Sequence, residues 1–199
     1  MLIVFEGIDG SGKTTLAKLF YEYLKNKGYK VVYEHEPNDV DIRKKITKLL
    51  KEATIEDLND ENFIKGLALL FAADRHFHQR KIKKYLKEGY IVICDRYYHS
   101  SLAYQTLFDK ITADFILKIN NSIVKPDYTF IVLVPVEVAI ERLKTKEEKH
   151  IFTNQEVLKK VYQNYLKLKN ILKEEKIIYL DSRKSPKELL EEVIKWTGL

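Results

Sequence analysis

The chain has 199 residues, 45% of them hydrophobic, a formal net charge of +6 and a single cysteine. That supports one well-formed core and a single domain over 1–199, and a lone cysteine excludes an intramolecular disulfide framework. No apolar run approaches the ~18 residues of a membrane span, and lysines interleaved with glutamates fit a solvated face better than a nucleic-acid stripe, so a cytoplasmic protein without nucleic-acid or membrane partners is expected.

The first element, Leu2-Ile3-Val4-Phe5-Glu6, has the pattern of a short buried strand. It runs into Gly7-Ile8-Asp9-Gly10-Ser11-Gly12-Lys13-Thr14-Thr15, which fits G-x-x-x-x-G-K-[ST]. Glycines allow successive backbone N–H groups to turn toward phosphate oxygens, and a helix starting near Lys13 adds its positive end. Lys13 would be a point charge on the β- and γ-phosphates and Thr14 a ligand for Mg²⁺. Leu16, Leu19, Phe20, Tyr23 and Leu24 carry that helix to Lys27-Gly28.

Lys30 to His35 predicts a second strand, closed by the turn-forming run Glu36-Pro37-Asn38-Asp39. Ile42, Ile46, Leu49 and Leu50 predict a short helix, and the polar stretch from Ala53 to Asp60 a loop. Glu61 to Lys87 is the longest helical pattern. Phe71 and Arg75 share a face of it, which fits either a flat ligand held by ring and guanidinium or a core aromatic beside a surface arginine; spacing alone favours the second. His76 and His78 point to different sides, and the histidine spacing shows no zinc or haem pattern.

Tyr90 to Cys94 is a buried strand with Cys94 as a small core side chain, ending in Asp95-Arg96-Tyr97, where a parallel sheet gathers its ligands. Asp95 fits a Mg²⁺ ligand, direct or through water, and Arg96 a bidentate phosphate clamp; an ion pair without catalytic duty fits equally. Ser100, Ser101, Tyr104 and Gln105 follow, suited to discriminating a base or sugar, or to capping. After a helix at Thr112 to Asn121, Tyr128 to Val134 is the next strand, and Val138, Ile140 and Leu143 lead into a helix carrying Arg142. Lys144, Lys146, Glu147, Glu148, Lys149 and His150 then predict a charged, mobile loop, which in a phosphoryl-transfer enzyme would be the natural lid over the phosphates. A helix through Val157, Leu158, Val161, Tyr165, Leu166 and Leu168, a strand at Lys176 to Leu180, and a helix from Ser185-Pro186 through Leu189, Leu190, Val193 and Trp196 complete an α/β pattern with a parallel sheet.

Together, Glu6 to Thr15, Glu36-Pro37, Leu70-Phe71-Ala72-Ala73-Asp74-Arg75, Asp95-Arg96-Tyr97 and Ser100-Ser101-Leu102-Ala103-Tyr104-Gln105 resemble the thymidylate kinase family. The resemblance implies a P-loop NTPase fold with a five-stranded parallel sheet flanked by helices, a short lid at about 142–154, and a homodimer. It implies transfer of the γ-phosphoryl of ATP to dTMP, giving dTDP and ADP, with Mg²⁺. Gly7, Ile8, Asp9, Gly10, Ser11, Gly12, Lys13, Thr14 and Thr15 would bind ATP, with Thr14 and Asp95 on the metal. Phe71 would stack on thymine and Arg75 bond its edge; Arg96 would grip the acceptor phosphate, Asp9 meet the sugar or metal shell, Ser101 and Gln105 help read the base, and Tyr104 disfavour a ribose, beside Glu36 and Pro37. Lys13, Arg96, Asp9 and Arg142 would be catalytic.

Two features depart from the family pattern. His35 stands where many relatives have Arg before Glu-Pro, and the uncharged Gly10-Ser11 shifts the search for a transition-state cation to the lid, with Arg142 ahead of Lys144, Lys146 and Lys149. Alternatives are a kinase for another deoxynucleoside or nucleoside monophosphate, a GTP-dependent switch, and a nucleic-acid-binding P-loop ATPase. The switch is disfavoured because Asn26-Lys27-Gly28-Tyr29 lacks the acid of N-K-x-D, and the ATPase because the basic residues are dispersed.

Overall fold

The continuous apolar runs become strands buried on both faces, as a parallel sheet requires. The computed structural model describes residues 1–144 and 150–199. The strands are β1 (Leu2–Glu6), β2 (Val31–His35), β3 (Ile91–Asp95), β4 (Tyr128–Leu133) and β5 (Ile177–Asp181). They form a five-stranded sheet in the order β2-β3-β1-β4-β5, parallel at every pairing. The helices are α1 (Lys13–Asn26), α2 (Val40–Glu52), α3 (Ile55–Asn59), α4 (Glu61–Lys87), α5 (Tyr98–Tyr104), α6 (Ala113–Ile119), α7 (Val136–Lys144), α8 (Gln155–Ile171) and α9 (Pro186–Thr197).

Alternation along β1 divides the core in two. Leu2 and Val4 face Ile64 and Leu67 of α4, Leu102 of α5 and Leu158 and Val161 of α8. Ile3 and Phe5 face Leu16, Phe20 and Leu24 of α1 and Leu189 and Val193 of α9. Phe5 stacks on Phe130 with ring centroids 5.5 Å apart and meets Phe20 at 6.1 Å. Each such ring, fully buried, contributes about 2–3 kcal/mol of transfer free energy. Central burial of β1 thus places the turn after Glu6 at the carboxyl edge of the sheet, beside the ends of β2 and β3, where His35 pairs with Asp95.

Local end signals explain the helix boundaries. Asp39 caps α2 by accepting from the N–H groups of Asp41 and Ile42, Asp60 caps α4 by accepting from Phe63 N–H, and Ser185 with Glu188 forms a capping box ahead of α9. The predicted loop at 53–60 is instead interrupted by α3: Thr54 and Asp57 make a second capping box and Leu58 is buried. That T-x-x-D signal outweighs the low apolar content of the stretch. Leu166 of α8 and Trp196 of α9, named in the apolar patterns of those helices, are 38% and 55% exposed. Among the described residues no helix is long and apolar enough to cross a membrane.

One buried carboxylate ties the layers together. Glu6 Oε1 accepts from the backbone N–H groups of Tyr97 at 2.7 Å and Ser100 at 3.1 Å. Glu6 Oε2 accepts from the Ser100 hydroxyl at 2.7 Å and the Tyr165 hydroxyl at 2.8 Å. A glutamine there would turn an NH₂ toward donors. Glu6→Gln is therefore expected to lower unfolding free energy by about 2 kcal/mol, measured by chemical denaturation with secondary structure of the native state unchanged.

Candidate active site

The turn after β1 is built from backbone that side chains rarely allow. Gly7, Gly10 and Gly12 have φ of +143°, +79° and +94°. A Cβ at Gly10 would sit 2.6 Å from the Ala139 carbonyl oxygen of α7, and one at Gly7 2.6 Å from that of Val132. Helix α1 has no side-chain cap at Gly12. Lys13 N–H donates to the Ser11 hydroxyl at 3.4 Å, and a helix N-terminus without a side-chain cap is suited to an anion.

A cavity of about 340 Å³ opens there, lined by Asp9, Gly10, Gly12, Lys13, Thr14, Thr15, Glu36, Asp95, Arg96 and Arg142. A second, of about 230 Å³, is lined by Asp9, Glu36, Pro37, Arg43, Phe71, Arg96, Ser101, Tyr104, Gln105, His150 and Phe152, among others. Asp9, Glu36 and Arg96 belong to both. The two chambers therefore meet at the Asp9–Arg96 pair and Glu36.

Arg96 holds that junction in the left-handed region, with φ of +69°. For a non-glycine residue this conformation persists only when neighbours over-determine it. They do: Nη2 donates to Asp9 Oδ1, Nη1 donates to the Ser100 hydroxyl at 2.9 Å, and the guanidinium lies 5.3 Å from the centroid of the Tyr104 ring. Lys13 Nζ is 3.6 Å from Asp9 Oδ1, and His150 Nε2 is 3.7 Å from Asp9 Oδ2. Burial pushes the Asp9 carboxyl up, but the charges of Arg96, Lys13 and His150 outweigh it and hold it well below the usual carboxylate range. Burial, and then Arg96 beside it, push the Lys13 ammonium below its ordinary value.

Asp95 ends β3 with one oxygen engaged and one not. Oδ2 accepts from the Thr14 hydroxyl at 2.5 Å and the Tyr33 hydroxyl at 3.1 Å, while Oδ1 is buried with no hydrogen-bond partner among the described residues. A hydroxyl and a carboxylate with a spare oxygen, side by side on the phosphate cavity, are a donor set that fits a hard divalent cation.

The predicted acceptor residues are brought together with one exception. Phe71, Ser101, Tyr104 and Gln105 line the second cavity, and Gln105 Oε1 is buried without a partner among the described residues. Spacing alone favoured a surface arginine at position 75, but Arg75 is 1% exposed and is not among the residues lining either cavity. It stands behind the wall: Nε donates to Glu36 Oε2 at 2.6 Å, Nη1 to Asn120 Oδ1 at 2.8 Å and Nη2 to the Ser101 hydroxyl at 3.4 Å. The pull of buried acceptors, invisible in helical spacing, decides this.

The expected lid at about 142–154 lies partly outside the described residues. Arg142 and Lys144 lie in the last turn of α7, where Arg142 Nη1 donates to the Gly10 carbonyl at 3.1 Å and Lys144 Nζ sits 2.6 Å from Glu141 Oε2. The far side is packed: Phe152 is buried, its ring centroid 4.9 Å from that of Tyr104. Lys146, Glu147, Glu148 and Lys149 lie outside the described residues. Sequence reasoning missed Arg43 and Phe152 on the acceptor cavity and named His150 only as part of the lid. It also missed that Arg43 Nη1 meets His35 Nε2 at 3.3 Å, so that α2 brings a guanidinium beside the position where an arginine had been expected. Glu36, His78 and Cys94 offer ligand atoms within 4.8 Å of one another, a grouping that histidine spacing did not reveal.

A glycine loop at the carboxyl edge of a parallel sheet, with a second chamber sharing its charged pair, defines a P-loop NTPase fold serving as an ATP-dependent nucleoside monophosphate kinase. The family model for thymidylate kinase matches residues 5–194. The chain is 42% identical over 182 residues to the probable thymidylate kinase of Thermococcus kodakarensis, covering 89% of this chain and 88% of the relative. It is 42% identical over 195 residues to that of Methanocaldococcus jannaschii, covering 98% and 94%, and 40% identical over 178 residues to that of Pyrococcus horikoshii, covering 88% and 86%. This chain belongs to the thymidylate kinase family, as the resemblance implied.

Gly10→Ala tests the loop directly. A Cβ at that φ, against the α7 backbone, is expected to weaken ATP binding at least about tenfold, read by calorimetric titration, with a smaller loss in melting temperature.

Proposed function

We propose that this chain transfers the γ-phosphoryl of ATP to dTMP, giving dTDP and ADP, and so supplies the step toward dTTP. The supporting observation is the meeting of two cavities at Asp9 and Arg96, which would bring a donor and an acceptor phosphate to one place.

In this reading Gly7 to Thr15 cradle the donor phosphates and Lys13 neutralises charge on the group in transit. Arg96, oriented by Asp9, clamps the acceptor phosphate. An ionised phosphate is already a nucleophile, so alignment and charge neutralisation suffice without a general base. Thr14 and Asp95 would hold Mg²⁺, which when bound offsets the charge of the triphosphate. Phe71 covers one face of the base, Gln105 and Ser101 offer polar edges, Tyr104 and Phe152 close the sugar side, and Glu36, Pro37 and Arg43 complete the rim. Arg142 borders a further recess of about 230 Å³ beside Ser11, Gly12 and Thr15 that continues to Ser182, Lys184 and Pro186, room for the donor's base. Its guanidinium would thus serve the donor, and the lysines beyond it the closing lid.

We also infer a single domain acting as a homodimer in the cytoplasm. Leu69 and Phe77 of α4, 51% and 66% exposed, supply apolar surface for a partner copy, and the unpaired Cys94 thiol suits a reducing compartment.

The test is ADP release with ATP against dTMP, dUMP, dGMP, dCMP, AMP and thymidine. Preferred turnover of dTMP is expected, and turnover of thymidine without dTMP would sink the proposal. Arg96→Ala is expected to lower kcat/KM for dTMP on the order of 10²-fold, and wild-type kinetics in that variant would remove Arg96 from the site. Phe71→Ala is expected mainly to raise KM for dTMP; an unchanged KM would return Phe71 to the core.

A further inference from the structure

Behind the acceptor cavity lies a buried ionic cluster that the phosphoryl-transfer steps do not use. Arg75 and His78 share a face of α4, three residues apart, and are 1% and 3% exposed. His78 stands between two carboxylates: its Nδ1 is 3.2 Å from Glu36 Oε1 and its Nε2 is 3.2 Å from Glu34 Oε2. Ionised carboxylates only accept hydrogen bonds, and a neutral imidazole has one N–H. Both contacts are satisfied only if both ring nitrogens donate, which makes the ring an imidazolium.

The surrounding charges lead to the same state. Glu34 faces the ring from β2, Glu36 from the turn after it, and Cys94 lies close on β3. From α4 itself come Asp74, Arg75 and Lys81, with Arg75 bonded to Glu36 and Lys81 Nζ 2.8 Å from Glu34 Oε1. Asp74 accepts the backbone N–H groups of Asn38 and Asp39, pinning the turn that carries Glu36. Three carboxylates thus meet two permanent cations, and the imidazolium supplies the missing charge. A metal on Glu36, His78 and Cys94 would have to displace the hydrogen bond from His78 Nδ1 and compete with Arg75 for Glu36.

We propose that His78 is a positioning residue for acceptor recognition: held as an imidazolium between Glu34 and Glu36, it fixes the Glu36 carboxylate and, through it, the Arg75 guanidinium behind the base pocket. The proposal rests on the reading above that Ser101, bonded to Arg75, offers a polar edge to the base and that Glu36 belongs to the rim of its pocket. Burial pushes the ring's pKa down, but the hydrogen bonds and charges of Glu34 and Glu36 outweigh it and raise it from 6.5 to about 9. A raised folded-state value means that the clamp is present through neutral pH. Its contribution to stability is full below 6.5 and is lost as pH rises through about 9.

The experiment uses the full enzyme with ATP and Mg²⁺ and compares dTMP with dCMP. His78→Gln keeps a donor without the charge. It is expected to lower the preference for dTMP over dCMP on the order of tenfold at about pH 7.5, through KM for the acceptor, with KM for ATP and saturated kcat within about twofold. The wild-type preference is expected to decline as pH rises through about 9, a feature absent from the His78→Gln profile; ionisation of the base itself would persist in both. An unchanged preference in His78→Gln overturns the proposal. Should that variant not fold, nitrogen-15 shifts of the wild-type ring decide. Both nitrogens protonated at about pH 8 support the clamp, and a neutral or metal-bound ring in the purified protein overturns it. Arg75→Lys separates the two levels. Retained preference there defeats the reading of the wall, whereas loss in Arg75→Lys with none in His78→Gln defeats only the role of His78.

Discussion

The carboxylate of Glu6 is the constraint on which the rest of the site depends. It sits at the last position of the central strand, fully buried, and binds the start of α5 and the Tyr165 hydroxyl of α8. An ionised carboxylate is costly in a core unless each lone pair finds a donor, and here four donors converge on it. The geometry that satisfies Glu6 is also the geometry that brings Arg96, two residues before α5, back over the loop that follows Glu6. Stabilisation of the core and alignment of the two chambers are thus one interaction seen from two sides.

The same logic recurs with opposite polarity at the ligand-facing level. Asp9 gathers Arg96, Lys13 and His150 around one carboxylate, which offsets the repulsion among those cations. Glu36 gathers Arg75 and His78 behind the acceptor wall. In each case the dipoles and charges are arranged before any substrate arrives, which is how electrostatic preorganisation limits the reorganisation required during reaction. The left-handed backbone of Arg96 is the local cost of that arrangement, offset by the contacts that hold its side chain.

Much of the framework was legible in order along the chain because its causes are local. The phosphate loop follows from glycine and lysine spacing, and the 61–87 helix from unbroken apolar periodicity ending at Gly89. Where local signals were weak or competing, the expectation failed: α3 was hidden by its polar composition. Arg43 carried no signal, since an arginine on an amphipathic helix is ordinary until the helix is laid along a cavity. The approach of His150 to Asp9 was equally silent, because the two lie 141 positions apart in the chain.

The sequence by itself determined the strands, nearly all the helices, the phosphate loop and the family, since these rest on periodicity, capping and short motifs whose physics acts within a turn or two of chain. Tertiary structure alone decided that Arg75 is buried against Glu36, Asn120 and Ser101, that Arg142 reaches the Gly10 carbonyl, and that His78 bridges two glutamates. Those outcomes depend on which charges meet across strands and helices far apart in sequence. In a low-dielectric interior, each buried charge settles where its partners are, and no local pattern records where that will be.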